Sequence, residues 1–207
     1  MAPELKLPRL YAIVDASLVA DTTQLLEFAS ELVAGGATLL QYRNKSAPAR
    51  EMLAQARSLR TRLGPSAQLV MNDRADLCVA AEFDGLHLGQ DDLSPDAARK
   101  VVGPSRFIGY STHNPDQVSG ANQTTADYLA IGPVFFTTSK ANPDPVVGLE
   151  GIRAARKLTS KPLVAIGGIT LENCRRVIEA GADSVAVISG LLRDPRKSAQ
   201  DFLRLMR

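Results

Sequence analysis

The chain has little of what would place it in several large classes of protein. Its 24 basic and 22 acidic side chains leave a formal net charge of only +2. A nucleic-acid binder shows a concentrated basic stripe and a much larger imbalance, so no nucleic-acid partner is expected. Only two cysteines are present, Cys78 and Cys174. Each sits in an apolar, helix-like stretch with no Cys or His at ligand spacing, which argues for small buried side chains and against a disulfide framework. The two histidines, His87 and His113, are not at metal-ligand spacing, and no Ser-His-Asp arrangement is evident. No apolar run approaches the length of a membrane span. Met1 to Leu10 carries Pro3, Glu4, Lys6, Pro8 and Arg9 and has no signal-peptide core. The expectation is a cytoplasmic enzyme or binding protein with no membrane partner.

What the chain does have is 45% hydrophobic residues over 207 positions, enough for one sizeable core and a single domain across 1–207. Short apolar runs alternate with longer amphipathic ones from end to end. Strands are expected at Leu10–Val14, Thr38–Tyr42, Gln68–Met71, Gly85–Leu88, Arg106–Tyr110, Tyr128–Ile131, Leu163–Ile166 and Ser184–Val187. Several are nearly all apolar, as strands covered on both faces are. Thr22–Ala34 and Ala47–Leu63 place apolar residues at helical spacing. Ser94-Pro95 reads as a helix start. Ala34-Gly35-Gly36 and Ala180-Gly181-Ala182 read as helix stops. Eight strand–helix units in unbroken series predict an α/β fold, a single (β/α)₈ TIM barrel smaller than the usual size. The alternative, a doubly wound open sheet, usually carries a Gly-rich loop after its first strand, and here that strand ends Val14-Asp15-Ala16-Ser17. Arg153, Arg156, Arg175, Arg176, Arg193 and Arg196 fall in helix-like segments and read as solvated helix faces.

In such a barrel the C-terminal ends of the strands meet at one rim, where active sites form. The third and fourth strands run into Met71-Asn72-Asp73-Arg74 and His87-Leu88-Gly89-Gln90-Asp91-Asp92, so Asp73 and Asp92 stand at equivalent strand ends. They suit Mg²⁺ ligands or helix N-caps. The second strand delivers Gln41, Arg43 and Lys45. Together with Lys140 these cations suggest a diphosphate, Arg offering a planar fork and Lys a point charge. The fifth strand delivers Ser111, Thr112 and His113. His113 reads as a substrate contact or as a cap of the next helix, whereas His87, inside its strand, reads as structural. Gly167-Gly168 and Ser189-Gly190 occupy the usual place of a phosphate site, after the seventh and eighth strands. A long polar segment from Thr137 to Gly148 opens with Thr137-Thr138-Ser139-Lys140 and reads as a functional lid. Asp15 and Asp127 are loose candidates for an acid/base carboxylate, Asp15 reading better as a turn or cap residue.

The motifs, taken in order, resemble the thiamine-phosphate synthase (thiamine-phosphate pyrophosphorylase) family. They are Gln41-Tyr42-Arg43-Asn44-Lys45, Asn72-Asp73-Arg74, His87-Leu88-Gly89-Gln90-Asp91-Asp92, Gly109-Tyr110-Ser111-Thr112-His113-Asn114, Gly132-Pro133-Val134-Phe135, Thr137-Thr138-Ser139-Lys140 and Ile166-Gly167-Gly168-Ile169. The resemblance runs from Tyr11 to Ser189. It implies a transferase that joins hydroxymethylpyrimidine diphosphate to hydroxyethylthiazole phosphate, giving thiamine phosphate and diphosphate by a Mg²⁺-assisted dissociative substitution. It implies Asp73 and Asp92 as Mg²⁺ ligands, and Arg43, Lys45, Ser111 and Lys140 as catalytic residues. The pyrimidine diphosphate falls to Gln41, Tyr42, Arg43, Asn44, Lys45, Asn72, Ser111 and Lys140. The thiazole phosphate falls to Thr137, Thr138, Ser139, Gly168, Ile188 and Ser189. Asn44 stands where the family commonly has Glu, Tyr42 where it has an aliphatic residue, and Phe136 where it has Pro. The competing readings are a thiazole tautomerase-like paralogue acting through His113 and a non-catalytic sensor of thiamine phosphates. Homo-oligomerisation stays open.

Overall fold

The short apolar runs form strands and the longer amphipathic runs form helices in a computed structural model that describes residues 7–137 and 144–207. The units follow in strict alternation: β1 (Leu10–Asp15), α1 (Thr22–Ala34), β2 (Leu39–Arg43), α2 (Ala49–Leu63), β3 (Gln68–Asn72), α3 (Ala75–Ala80), β4 (Gly85–Leu88), α4 (Pro95–Val102), β5 (Phe107–Thr112), α5 (Pro115–Ala121), β6 (Tyr128–Ile131), α6 (Gly148–Leu158), β7 (Leu163–Ile166), α7 (Cys174–Glu179), β8 (Ser184–Val187) and α8 (Pro195–Leu205). Every strand pairs in parallel with the next, and β8 returns to β1 through Leu10↔Val185 and Tyr11↔Ala186, closing the barrel. Strands β1, β2, β3 and β5 run one or two residues further than their apolar cores. The ladder continues through Asp15↔Arg43, Asn72↔His87 and Thr112↔Ile131, so the first polar residues of the rim are held in strand geometry. No helix among the described residues is long and apolar enough to cross a membrane.

Alternation along each strand divides the core in two. Tyr11, Ile13, Leu39, Val70, Tyr128, Ala130, Val164 and Ala186 fill the barrel interior. Leu10, Ala12, Val14, Leu40, Leu69 and Leu86 point outward into the larger layer beneath the helices. Each fully buried Leu, Ile or Val side chain among them contributes roughly 1.5–3 kcal/mol. Two interior positions are left empty on purpose of space. A Cβ on Gly85 would lie 2.2 Å from the Phe107 ring, and one on Gly109 1.9 Å from the Tyr128 ring. These glycines on β4 and β5 let the two large rings cross the barrel.

Helix ends follow local chemistry. Ser94 accepts from the Ala97 N–H at the start of α4, with Pro95 in the first turn, as expected. The left-handed residues after α1 and α7 are Gly36 (φ 99) and Gly181 (φ 115), so the first stop falls at the second glycine of its pair.

One device recurs three times at the N-terminal end of the barrel. Asp84, Asp127 and Asp183 each immediately precede an even-numbered strand. Each accepts the backbone N–H of a residue near the start of the preceding strand: Leu69 at 2.7 Å, Ile108 at 2.7 Å and Leu163 at 2.8 Å. Each also pairs with an arginine from the helix that precedes the odd-numbered strand, Arg60 of α2 at 2.7 Å, Arg99 of α4 at 2.5 Å and Arg156 of α6 at 3.0 Å. Each clasp thus ties helix, odd strand and even strand together. Two expectations are corrected here. Asp127 precedes its strand instead of following it, so it lies at the end of the barrel opposite the rim. Arg156 belongs to a clasp and not to a purely solvated face.

Candidate active site

The C-terminal ends of the strands enclose a cavity of about 520 Å³. Its walls include Gln41, Arg43 and Lys45 from β2 and beyond, Asn72 at the end of β3 and Asp73 after it, His87 and Asp92 from β4 and its loop, and Ser111 from β5 with His113 just after it. The far wall carries Thr137, Gly168, Ile188 and Ser189. The structure therefore brings together most residues singled out from the sequence. Thr138, Ser139 and Lys140 lie outside the described residues.

Tyr42 and Asn44 do not bring their side chains to this cavity. Gln41, Arg43 and Lys45 share one side of an extended segment, so the residues between them face the other way. The Tyr42 hydroxyl donates to Gln55 Oε1 at 2.6 Å, and Asn44 Nδ2 donates to the same oxygen at 3.2 Å. Asn44 Oδ1 accepts from the backbone of Ser46 and Ala47. Both side chains fasten the β2–α2 connection to α2, which corrects their assignment as substrate-contacting side chains.

The cation side is built on Asp15. Its carboxylate accepts from the Ser17 backbone N–H and hydroxyl at 3.0 and 2.7 Å and pairs with Arg43. Asp15 is thus a turn cap that also fixes an arginine at the pocket wall. Lys45 Nζ lies 3.2 Å from Asp73 Oδ2. Asp73 adopts a left-handed backbone (φ 61). This conformation costs a non-glycine residue of order 1 kcal/mol and is found where function demands a particular direction. The Asp73 N–H donates to the His87 carbonyl at 2.8 Å, which carries the β3–β4 ladder past the strand.

Neither acidic residue caps a helix. Ser94 caps α4, and α3 begins after Arg74 with no side-chain cap. Asp92 instead accepts from the Gly89 N–H at 2.7 Å, closing its own loop over the rim. Burial raises the Asp92 pKa above the usual carboxylate value. The neighbouring Asp73 carboxylate adds to this, and the Gly89 N–H and Lys45 work against it. A carboxylate whose ionisation is opposed by burial and by a second carboxylate beside it belongs to a donor set that a divalent cation relieves. Hard oxygens, few in number and beside the cationic side chains of Arg43 and Lys45, are what Mg²⁺ takes when other oxygens and water complete its shell. Among the described residues no group of three or more His, Cys, Asp or Glu side chains could hold a metal by itself. The pair therefore fits an ion shared with a bound ligand.

The floor of the cavity holds a run of hydrogen bonds that the reading of the sequence missed. Gln41 Nε2 donates to the Tyr11 hydroxyl at 2.9 Å, and the Tyr11 and Tyr128 hydroxyls lie 3.0 Å apart. Tyr128 is 2.9 Å from His87 Nδ1, and His87 Nε2 is 2.9 Å from Ser111 Oγ. Burial pushes the His87 pKa down to about 4 and raises those of both tyrosines, so all three are neutral at physiological pH. His87 is thus part of the pocket wall, not only of the strand. The missed signal was parity: Tyr11, Gln41, His87, Ser111 and Tyr128 all occupy inward positions of their strands. Asn72 is buried against the cavity, and its Nδ2 has no hydrogen-bond partner among the described residues. An unmet donor of this kind costs roughly 1–3 kcal/mol until an acceptor arrives.

His113 presents Nδ1 to the Gly132 carbonyl at 2.6 Å and Nε2 toward Asp144 Oδ2 at 3.5 Å. Asn114, not His113, caps α5. On the far wall, Gly168 is left-handed (φ 63), and a Cβ there would meet the Phe136 carbonyl oxygen at 2.5 Å. Only glycine allows that approach. Ser189 opens a 3₁₀ turn, Ser189–Leu191, directly after β8.

A family model described as thiamine monophosphate synthase matches residues 10–191. The chain is 64% identical to a thiamine-phosphate synthase of Koribacter versatilis, covering 100% of this chain and 99% of that protein. It is 45% identical to a thiamine-phosphate synthase of Agrobacterium fabrum, covering 89% and 86%. A solved thiamine phosphate pyrophosphorylase from Pyrococcus furiosus superposes with a TM-score of 0.85 at 35% identity, covering 96% of this chain and 95% of that one.

Proposed function

The chain belongs to the thiamine monophosphate synthase family, and from that premise we propose how its rim pocket does the family's chemistry. The protein is a transferase that joins hydroxymethylpyrimidine diphosphate to hydroxyethylthiazole phosphate, forming thiamine phosphate and releasing diphosphate. In our reading Arg43, Lys45, Asn72, Ser111 and Lys140 hold the pyrimidine diphosphate, with Gln41 beside the ring. Thr137, Thr138, Ser139, Gly168, Ile188 and Ser189 hold the thiazole phosphate. Asp73 and Asp92 hold Mg²⁺, which when bound neutralises charge on the diphosphate. We take the reaction to run in the cytoplasm.

Each residue's part follows from its surroundings. Asp15 keeps Arg43 against the wall, so the guanidinium is in position before the leaving group develops charge. The Asn72 amide gains the acceptor it lacks when substrate arrives. Loss of diphosphate leaves a pyrimidine cation, which the thiazole nitrogen captures. The apolar part of the wall, Ile13, Ala130, Val164 and Ala186, keeps water from intercepting that cation.

The observation that carries this reading is the meeting of two neighbouring carboxylates, Asp73 and Asp92, with Arg43, Lys45 and an unpartnered amide in one cavity. The test is diphosphate release by the purified protein with both substrates and Mg²⁺, and with each omitted in turn. Release that needs all three supports the reading. Isomerisation of the thiazole phosphate alone, without release, overturns it in favour of a tautomerase acting through His113.

A further inference from the structure

Gln41, Tyr11, Tyr128, His87 and Ser111 form a single file of hydrogen bonds across the pocket floor, drawn from five different strands. The direction of each bond can be derived from the first. An amide nitrogen donates and cannot accept. Gln41 therefore donates to the Tyr11 oxygen, Tyr11 donates to Tyr128, and Tyr128 donates to His87 Nδ1. A neutral ring that accepts at Nδ1 carries its hydrogen at Nε2, which donates to Ser111 Oγ. The Ser111 hydroxyl hydrogen is left over, and Ser111 lines the cavity.

The opposite tautomer does not satisfy the file. With the hydrogen at Nδ1, Tyr128 accepts from the ring and sends its own hydrogen back to Tyr11. The Tyr11 oxygen already accepts from Gln41, so its hydrogen would be buried with no acceptor among the described residues. Buried polar groups left so are rare.

We propose that this file is a one-way hydrogen-bond chain in which His87 is a positioning residue, holding the Ser111 hydroxyl as a donor toward the diphosphate. The other end of the chain leaves the Gln41 side-chain oxygen Oε1 as an acceptor. The pyrimidine diphosphate, whose ring carries an amino group at position 4, has the complementary ends: the amino group donates and the diphosphate accepts. The chain thus sets the polarity of the pocket before substrate enters, and it orients a donor at the place where charge grows as the leaving group departs. The inference rests on the assignment of Gln41 and Ser111 to the pyrimidine diphosphate proposed above.

Two readouts test it. The first is the ¹⁵N spectrum of histidine-labelled, ligand-free protein, in which the only other histidine is His113, and His87→Gln identifies the His87 signals. A neutral ring with hydrogen at Nε2 is expected; a ring with hydrogen at Nδ1 means that the Gln41 amide is turned over and the chain runs the other way, which overturns the proposal. The second is steady-state diphosphate release by His87→Gln and His87→Asn, with thermal melts to show that each is folded. Gln reaches Ser111 with an amide N–H near the place of Nε2, whereas Asn stops at the level of Nδ1. His87→Gln should stay within about threefold of wild-type kcat, while His87→Asn loses roughly 10- to 100-fold in kcat with little change in KM for the thiazole phosphate. Equal effects of the two substitutions overturn the proposal, and if neither variant folds the tautomer of the wild-type ring decides. Absence of diphosphate release by the wild type is a failure of the functional reading instead, and it leaves the tautomer result to stand on its own.

Discussion

At the N-terminal end of the barrel, Asp84, Asp127 and Asp183 each accept a backbone N–H and an arginine. At the C-terminal end, Asp92 has its pKa raised by burial and by Asp73, Asp73 is held in a left-handed backbone, and Asn72 keeps a buried donor with no partner among the described residues. The same residue types thus serve opposite purposes. Where carboxylates precede strands, opposite charges and amides satisfy them, and the gain is stability. At the rim, Asp92 instead stands with its ionisation opposed by burial and by Asp73, a cost recovered when a ligand arrives. This division is what a barrel's geometry allows, since the two ends are separated by the packed interior and can be tuned independently.

The sharpest way to break the contrast is Asp92→Ala. It should lower Mg²⁺-dependent turnover by roughly 10²- to 10³-fold, the scale seen when one transition-state electrostatic contact is removed, and leave the melting temperature nearly unchanged or higher. Steady-state kinetics beside a thermal melt checks both halves.

Next in size is the acid sensitivity placed by His87. Its folded pKa, about 4, lies below the unfolded value near 6.5. The unfolded chain therefore takes up a proton that the folded chain refuses. Stability from this group is complete above pH 6.5 and falls as pH drops toward 4, by up to about 3 kcal/mol. Urea unfolding of wild type and His87→Gln across that window should show the extra slope only in the wild type.

Asp127→Ala addresses the other end. It takes the carboxylate partner from Arg99, which keeps only backbone carbonyls, and leaves the Ile108 N–H without its acceptor; this should cost about 2 kcal/mol in unfolding free energy. Turnover measured well below the melting temperature should match the wild type. Smallest is Tyr42→Phe, which removes one hydroxyl bonded to Gln55 and should cost about 1 kcal/mol with no change in KM for the diphosphate substrate. A raised KM would return Tyr42 to the pocket.

The legible parts of this molecule were those written in consecutive residues. Runs such as Leu163–Ile166 are apolar on both faces, and only a sheet covered inside and out has use for them. The polar residues after each run then had to share a rim, which is why Arg43, Asp73, Asp92, Ser111 and Gly168 could be grouped in advance. The clasps were not legible, because an Asp before a strand reads as a turn residue and its arginine stands 24 to 28 positions earlier in the chain. Tyr42 and Asn44 were misplaced for a different reason: a five-residue motif was read as one surface, although an extended segment turns alternate side chains away from each other. His87 was underrated by the same oversight in reverse, since its inward parity put it beside Ser111.

The most direct test of the contrast is calorimetric titration of diphosphate into Asp92→Ala and Asp127→Ala, each with and without Mg²⁺. The account predicts that Mg²⁺ strengthens diphosphate binding in Asp127→Ala as in the wild type and no longer does so in Asp92→Ala. Loss of the Mg²⁺ effect in both variants, or in neither, would contradict the assignment of chemistry to one end of the barrel and stability to the other.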